Sequence, residues 1–258
     1  MKTIHQTALV NPAAKLGENI IVGPYALIEA DVEIGDDCII GPHAVIYNGA
    51  RIGNRVKIFQ GASVANFPQD LKFAGEKSVF TIGDDTIIRE FATLHRGTKE
   101  TGKSSVGKNC LIMAYGHVAH DCSVGDNCII ANAVQIGGHS HIEDWVIIGG
   151  STPVHQFSLV GEHSMIAGGI RITQDVPPYI LTAHTPASFA GLNVIGLRRR
   201  GFKNEDIQIL KEAYGLLYSK SLNVSQAVEV MKSKFGENVY VQKLIEFLSK
   251  SKRGIVGK

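Results

Sequence analysis

Stepping through the chain six residues at a time from Ile4 meets a branched aliphatic side chain at every stop. The series runs Ile4, Val10, Leu16, Val22, Ile28, Ile34, Ile40, Ile46, Ile52, Ile58 and Val64. It resumes at Ile82, Ile88 and Leu94, then continues by sixes from Val106 to Ile172. The chain is 44% hydrophobic overall, so an unbroken column of this kind does not arise by chance. Neither the 3.6-residue period of a helix nor the two-residue period of a strand produces it. A hexapeptide parallel β-helix does: each hexad is one flat side of a triangular prism, and eighteen residues make one coil. The expected fold class is therefore an all-β solenoid.

Two residues before the aliphatic the side chain is nearly always small or modest, as at Ala8, Ala14, Ala26, Cys38, Ala44, Ala50, Ala62, Cys110, Gly116, Cys122 and Cys128. An inner corner has little room, which accounts for that choice. All four cysteines fall in this column, so they read as apolar fillers rather than disulfide or zinc partners. Gly often follows the aliphatic, as at Gly35, Gly83 and Gly125, where a turn with positive φ is expected.

Two stretches break the rhythm, 66–81 and 96–105, and read as loops projecting from the prism, where binding groups sit. The hexads end near Ile172, and QDVPPYI marks a boundary. Beyond it Ile207, Leu210, Tyr214, Leu217 and Tyr218 share one helical face, with Asn204 as N-cap. Further helices are expected near 225–234 and 239–250. The expected domains are a prism over 1–190 and a small helical domain over 191–258 that caps one end.

Net charge is +2, so no polybasic field points to nucleic acid. The first residues, MKTIHQTALVNPAA, lack an apolar targeting core. No run approaches the ~18 apolar residues of a membrane span. The expected location is the cytoplasm.

The coil length also works as a ruler. Residues 120, 138 and 156 should stack on one side, bringing together His120, Gly138 and Gln156 with their neighbours Asp121, His139 and His155. These groups would then lie within roughly 10 Å of axial rise. Three readings fit. His120 is a general base oriented by Asp121, with the Gly138 N–H as oxyanion donor. Alternatively, His117, His120 and His139 bind zinc, as in a carbonic anhydrase-like lyase. In the third, the polar groups only decorate an outer face.

Further motifs carry a resemblance. Taken with PQDLKFAG (68–75), HRGT (95–98), MAYGHVAHDC (113–122), HQF (155–157), QDVPPY (174–179) and LNVIGLRRRGF (192–202), the chain closely resembles a known family. These are the acyl carrier protein-dependent UDP-N-acetylglucosamine acyltransferases that begin lipid A biosynthesis. The resemblance covers nearly the whole chain. It implies a left-handed parallel β-helix, an exception to the right-handed crossover rule. It also implies a homotrimer with sites between neighbouring chains, and neither metal nor other cofactor.

In that reading His120, supported by Asp121, deprotonates the sugar 3-hydroxyl, which attacks the thioester of a 3-hydroxyacyl carrier protein, and Gly138 N–H binds the oxyanion. Gln69, Asp70, Lys72, His117, His139, His155, Gln156, Asn193 and Arg199 resemble substrate contacts. Gly168 matches the base of the acyl groove. Arg198, Arg200 and Lys203, with Lys252 and Arg253, suit an acidic carrier protein. Ile195 departs from the glutamate that many relatives carry, which leaves open a 3-amino rather than a 3-hydroxyl acceptor.

Overall fold

The computed structural model describes residues 2–257; the outermost positions of the two expected domains, 1 and 258, lie outside the described residues. Hexads fold into two-residue strands that hydrogen-bond from coil to coil in parallel, making three sheets of eleven, eight and eight strands. The coil is left-handed. Face one carries strands such as Ile21–Val22 and Leu111–Ile112, face two His117–Val118, and face three Ser123–Val124. Register repeats every eighteen residues, so His117 pairs with Gln135 and Ser123 with His141. The aliphatic column points inward, and from Val22 to Ile172 each of its members is buried.

The two projecting loops are shorter than the broken rhythm suggested. Face-two strand Ser63–Asn66 is followed by face-three strand Val79–Ile82, leaving 67–78 as the first loop. Thr93–His95 and Lys103–Val106 leave 96–102 as the second. Both loops leave the prism at the corner between faces two and three.

The glycines that follow the aliphatics do not have the positive φ expected of them. The left-handed residue lies three before the aliphatic instead, as at Asn19, Asp37 and Asn109, and at Asp121 and His139, each with φ 59°. Asn and Asp tolerate that region well. The column glycines serve close approach. A Cβ at Gly83 would lie 2.6 Å from the carbonyl carbon of Gly107 and the nitrogen of Lys108, with no flexible side chain to yield. Gly83→Ala is expected to destabilise the fold by about 1–3 kcal/mol, the usual range for overpacking, read as a lower denaturation midpoint at unchanged slope.

The cysteines are free and buried, as expected of fillers. They also have a hydrogen-bonding role. Cys38, Cys110, Cys122 and Cys128 each donate to a carbonyl fifteen residues on, at 3.0–3.1 Å. Ser140 and Thr152 do the same in their own coils. At these six positions the column holds small donors, whereas Ile20, Phe80 and Ile170 fill it with larger apolar side chains.

Beyond the hexads, Ile180–Ala183 and Ser188–Leu192 form an antiparallel hairpin that extends face one, an element the periodicity did not reveal. Four helices follow: α1 (Val194–Arg199), α2 (Asn204–Leu217), α3 (Val224–Phe235) and α4 (Val239–Lys250). The expected face of α2 is buried at Ile207, Leu210, Tyr214 and Leu217. Its N-cap is Lys203 rather than Asn204 and makes no side-chain cap; Glu205 and Asp206 in the first turn offset the helix dipole. A capping box of Asn223 and Gln226 opens α3. The tail then returns to the prism, where Ile255 bridges Asp175 and Gly257 bridges Ser188.

At the junction of prism and helices, His163 stacks on Trp145 and meets Phe202 edge-on. Burial, with help from the Arg200 charge and against the pull of Glu162, lowers its pKa to about 4. The ring is neutral in the fold but titrates near 6.5 when unfolded. Its contribution to stability is complete above about pH 6.5 and is lost as pH falls towards 4. Urea midpoints are expected to drop between pH 7 and 4.5, and less steeply in a His163→Asn variant.

Candidate active site

The corner between faces two and three gathers most of the polar groups singled out from the sequence. Backbone bonds confirm the stacking: His139 N–H donates to His120 O (3.1 Å) and Phe157 N–H to Gly138 O (2.9 Å). The next-coil placement of 120, 138 and 156 is thus as the ruler required.

His120 Nδ1 lies 2.7 Å from Asp121 Oδ2. The Asp121 side chain is fully buried, and that of His120 is 13% exposed. Burial by itself raises the Asp121 pKa. Hydrogen bonds from Thr101, His120 and Thr98 outweigh it and hold the carboxyl below its ordinary value. Since Asp121 is an anion, Nδ1 carries the imidazole proton and Nε2 is left as the basic nitrogen. That nitrogen faces Gly138: a Cβ there would lie 2.9 Å from both Nε2 and Cε1 of His120. The ring therefore fills the space a side chain would take. Among the described residues Gly138 N–H donates to no protein acceptor. A base and an unpaired backbone donor thus sit side by side.

Two further histidines lie beside this dyad, His117 in the same coil and His95 in the coil before it. His117 Nδ1 bonds Thr93 Oγ1 at 2.8 Å, and its ring meets His95 edge-on. Burial, reinforced by the charges of His95 and His120, lowers the His117 pKa to about 4. His95 is buried too, with Nδ1 2.5 Å from the Phe67 carbonyl. Beside it, the Arg96 guanidinium lies over the Phe67 and Phe73 rings. These two residues pin the base of the 67–78 loop next to the dyad. Both belong to the HRGT motif, yet sequence reasoning gave them no role of their own, because their partners are distant along the chain. Gln69 and Lys72 are exposed on that loop, and Asp70 Oδ1 accepts the Lys72 N–H.

Above the dyad, His139 stacks on Phe157, with Nε2 3.8 Å from Asp121 Oδ2 and Nδ1 3.5 Å from Glu100. His155 Nδ1 faces the Gln156 carbonyl at 2.9 Å, and Gln156 itself is exposed. The zinc set read from the sequence is not assembled. Among the described residues the atoms close enough to share an ion belong to His120, Asp121 and His139, with His117 outside the group. Within that group the Asp121 oxygens already accept four hydrogen bonds.

The remaining residues lie on other corners. Asn193 caps α1 through Oδ1 and donates from Nδ2 to the His163 carbonyl, at the corner of faces three and one. Arg200 lies over Trp145 there, whereas Arg198, Arg199, Lys203 and Ile195 are exposed. Gly168 lies just beyond Met165–Ile166, at the corner of faces one and two. One chain does not bring these three groups together.

The hexad prism, with an imidazole and an unpaired backbone N–H side by side at one corner, is the architecture of the hexapeptide-repeat transferases. Models of the bacterial transferase hexapeptide match residues 13–48, 31–66 and 103–138, and a model of UDP-N-acetylglucosamine O-acyltransferase domain 2 matches 175–256. The acyl-[acyl-carrier-protein]–UDP-N-acetylglucosamine O-acyltransferase of Thiobacillus denitrificans is 45% identical over 257 residues, covering 99% of this chain and all of that one. The enzyme of the same description from a Janthinobacterium species is 43% identical over 261 residues, with 99% and 100% covered. Among solved structures, the UDP-N-acetylglucosamine acyltransferase of Francisella novicida superposes with a TM-score of 0.96 at 38% identity, covering 99% and 94%. The O-acyltransferase of Moraxella catarrhalis gives 0.95 at 38%, covering 98% and 99%. This chain belongs to the UDP-N-acetylglucosamine O-acyltransferase family.

Proposed function

We propose that the protein moves a 3-hydroxyacyl chain from acyl carrier protein to the 3-hydroxyl of UDP-N-acetylglucosamine, the first step of lipid A biosynthesis. The observation that carries this reading is the His120–Asp121 dyad set against the unpaired Gly138 N–H, in a chain that matches the family from end to end. His120 Nε2 takes the proton of the sugar hydroxyl as its oxygen forms a bond to the thioester carbonyl carbon. The Gly138 N–H stabilises the oxyanion; one such donor is typically worth ~2.7–4 kcal/mol in the barrier. Collapse breaks the C–S bond, and the imidazolium returns its proton to the departing thiolate.

Gln69, Asp70 and Lys72, and His117, His139, His155 and Gln156, are read as contacts to the sugar and the acyl chain. Arg199 and Asn193 are read as nucleotide contacts, Gly168 as the base of the acyl groove, and Arg198, Arg200 and Lys203 as carrier contacts. Because these groups occupy three corners of the prism, a complete site requires neighbouring copies. Face one supports this: its outward positions Ile21, Ile39, Ile87, Leu111, Ile129, Ile147 and Met165 are apolar, interrupted by the exposed Lys57 between Ile39 and Ile87, and a second chain would bury them. A homotrimer, a prism over 1–190, a helical domain over 191–258 and a cytoplasmic setting belong to the same reading. Among the described residues no helix is long and apolar enough to cross a membrane.

The test is a panel of 3-hydroxyacyl carrier proteins offered with UDP-N-acetylglucosamine and with its 3-amino analogue, products being identified by mass. Ester product on the first sugar is expected. Amide product alone would move the acceptor to the 3-amine, in keeping with the exposed Ile195. Absence of both would overturn the function.

A further inference from the structure

The loop 96–102 grips Asp121, the carboxylate that the dyad depends on, and nothing in the sequence pattern points to that grip. Asp121 Oδ1 accepts the Thr98 N–H at 2.9 Å and faces the Thr101 hydroxyl; Oδ2 accepts the Thr98 hydroxyl at 2.8 Å and the His120 ring at 2.7 Å. Two bonds on each oxygen fill the four lone-pair sites of a carboxylate. The Thr101 hydroxyl also faces the Lys103 carbonyl at 2.8 Å, and a single proton cannot serve both acceptors. The charged oxygen is the stronger acceptor.

We propose that Thr98 and Thr101 are positioning residues of the transfer reaction, acting through Asp121 to keep it anionic and aimed at His120 Nδ1. This rests on the acyltransferase reading. A carboxylate with fewer donors is a stronger acceptor for the His120 ring N–H, so loss of a threonine hydroxyl changes both the aim and the strength of that bond. Other groups that bear on the pair are His139, at 3.8 Å from Asp121, and Glu100 on the far side of His139. His117 in the same coil and His95 in the coil before are both held towards the neutral form by burial. The Cys122 thiol, which burial keeps protonated, is adjacent in sequence.

The experiment compares wild type with Thr98→Val, Thr101→Val and Thr101→Ser. Two readouts are taken: kcat and KM across pH, and imidazole ¹⁵N shifts of His120 in the folded protein. In the valine variants kcat is expected to fall by roughly tenfold or more with KM little changed. The acid limb of the rate profile should move to higher pH, and the His120 Nδ1 signal should shift from its wild-type position. Thr101→Ser should behave as wild type. Should Thr101→Val fail to fold, Thr101→Ala removes the same hydroxyl from the loop. A fall in kcat with the acid limb and the His120 ¹⁵N shifts unchanged would reduce the threonines to loop structure and overturn the proposal. If the wild-type protein transfers no acyl group, the ¹⁵N shifts still read the clamp, so failure of the function and failure of the clamp are told apart.

Discussion

Turnover by a His120→Ala variant is expected to fall by about 10²–10⁴-fold, the usual contribution of a positioned general base. The reasoning follows from geometry. Nδ1 is committed to Asp121 at 2.7 Å, so Nε2 is the nitrogen free to take a proton, and it lies against Gly138. A sugar hydroxyl has a pKa far above neutrality, and without that nitrogen its oxygen must attack the thioester while still protonated. The ring sits at a corner, outside the aliphatic column, so its removal leaves the prism intact. Initial rates with 3-hydroxyacyl carrier protein, alongside an unchanged circular-dichroism spectrum and oligomer size, provide the check. Near-wild-type turnover in a folded variant would sink the assignment of the base.

Asp121→Asn is expected to lower kcat by a similar factor for a different reason. Asn tolerates the left-handed backbone at φ 59°, so the coil should still form. An amide, however, must present its NH2 where one carboxylate oxygen stood. Facing the Thr98 backbone N–H, it would set donor against donor, and a buried bond left unmade costs about 1–3 kcal/mol. Facing His120, it forces Nδ1 to accept and moves the ring proton to Nε2, which abolishes the base. The Thr98 hydroxyl can rotate and the backbone N–H cannot, so the second orientation wins. Imidazole ¹⁵N spectra should show the proton on Nε2, and kcat should fall with the substrate KM little affected. Retention of the Nδ1–H tautomer with normal kcat would contradict this account.

The two variants act on the same nitrogen, so their effects should not add. A double variant that is no slower than His120→Ala alone would be consistent with one functional unit.

Much of the architecture was legible because a solenoid writes its geometry into a linear repeat. Each hexad meets the same inner surface, so the period alone places Val118 and Val124 on the axis. The eighteen-residue coil likewise stacks His120, Gly138 and Gln156. The buried face of α2, and α3 and α4 within a residue or two of their ends, followed from ordinary helical periodicity. The hairpin over 180–192 escaped because its residues carry no repeat and owe their pairing to the last strand of face one. The glycines misled for a related reason. Glycine signals both turn freedom and close approach, and only the distance from Gly83 to the next coil tells which is in force.

The sequence by itself determined the prism, the order of its coils, the inward column and the stacking of His120 on Gly138, because each depends on repeat length alone. Tertiary structure decided what surrounds the dyad: that both loops leave from its corner, that His95 and Arg96 anchor the first loop, and that Thr98 and Thr101 supply donors to Asp121. Those contacts join residues twenty or more positions apart across a break in the repeat. Where the period lapses, loop path is set by which buried polar groups must find partners, and that is settled only when the coils close on one another.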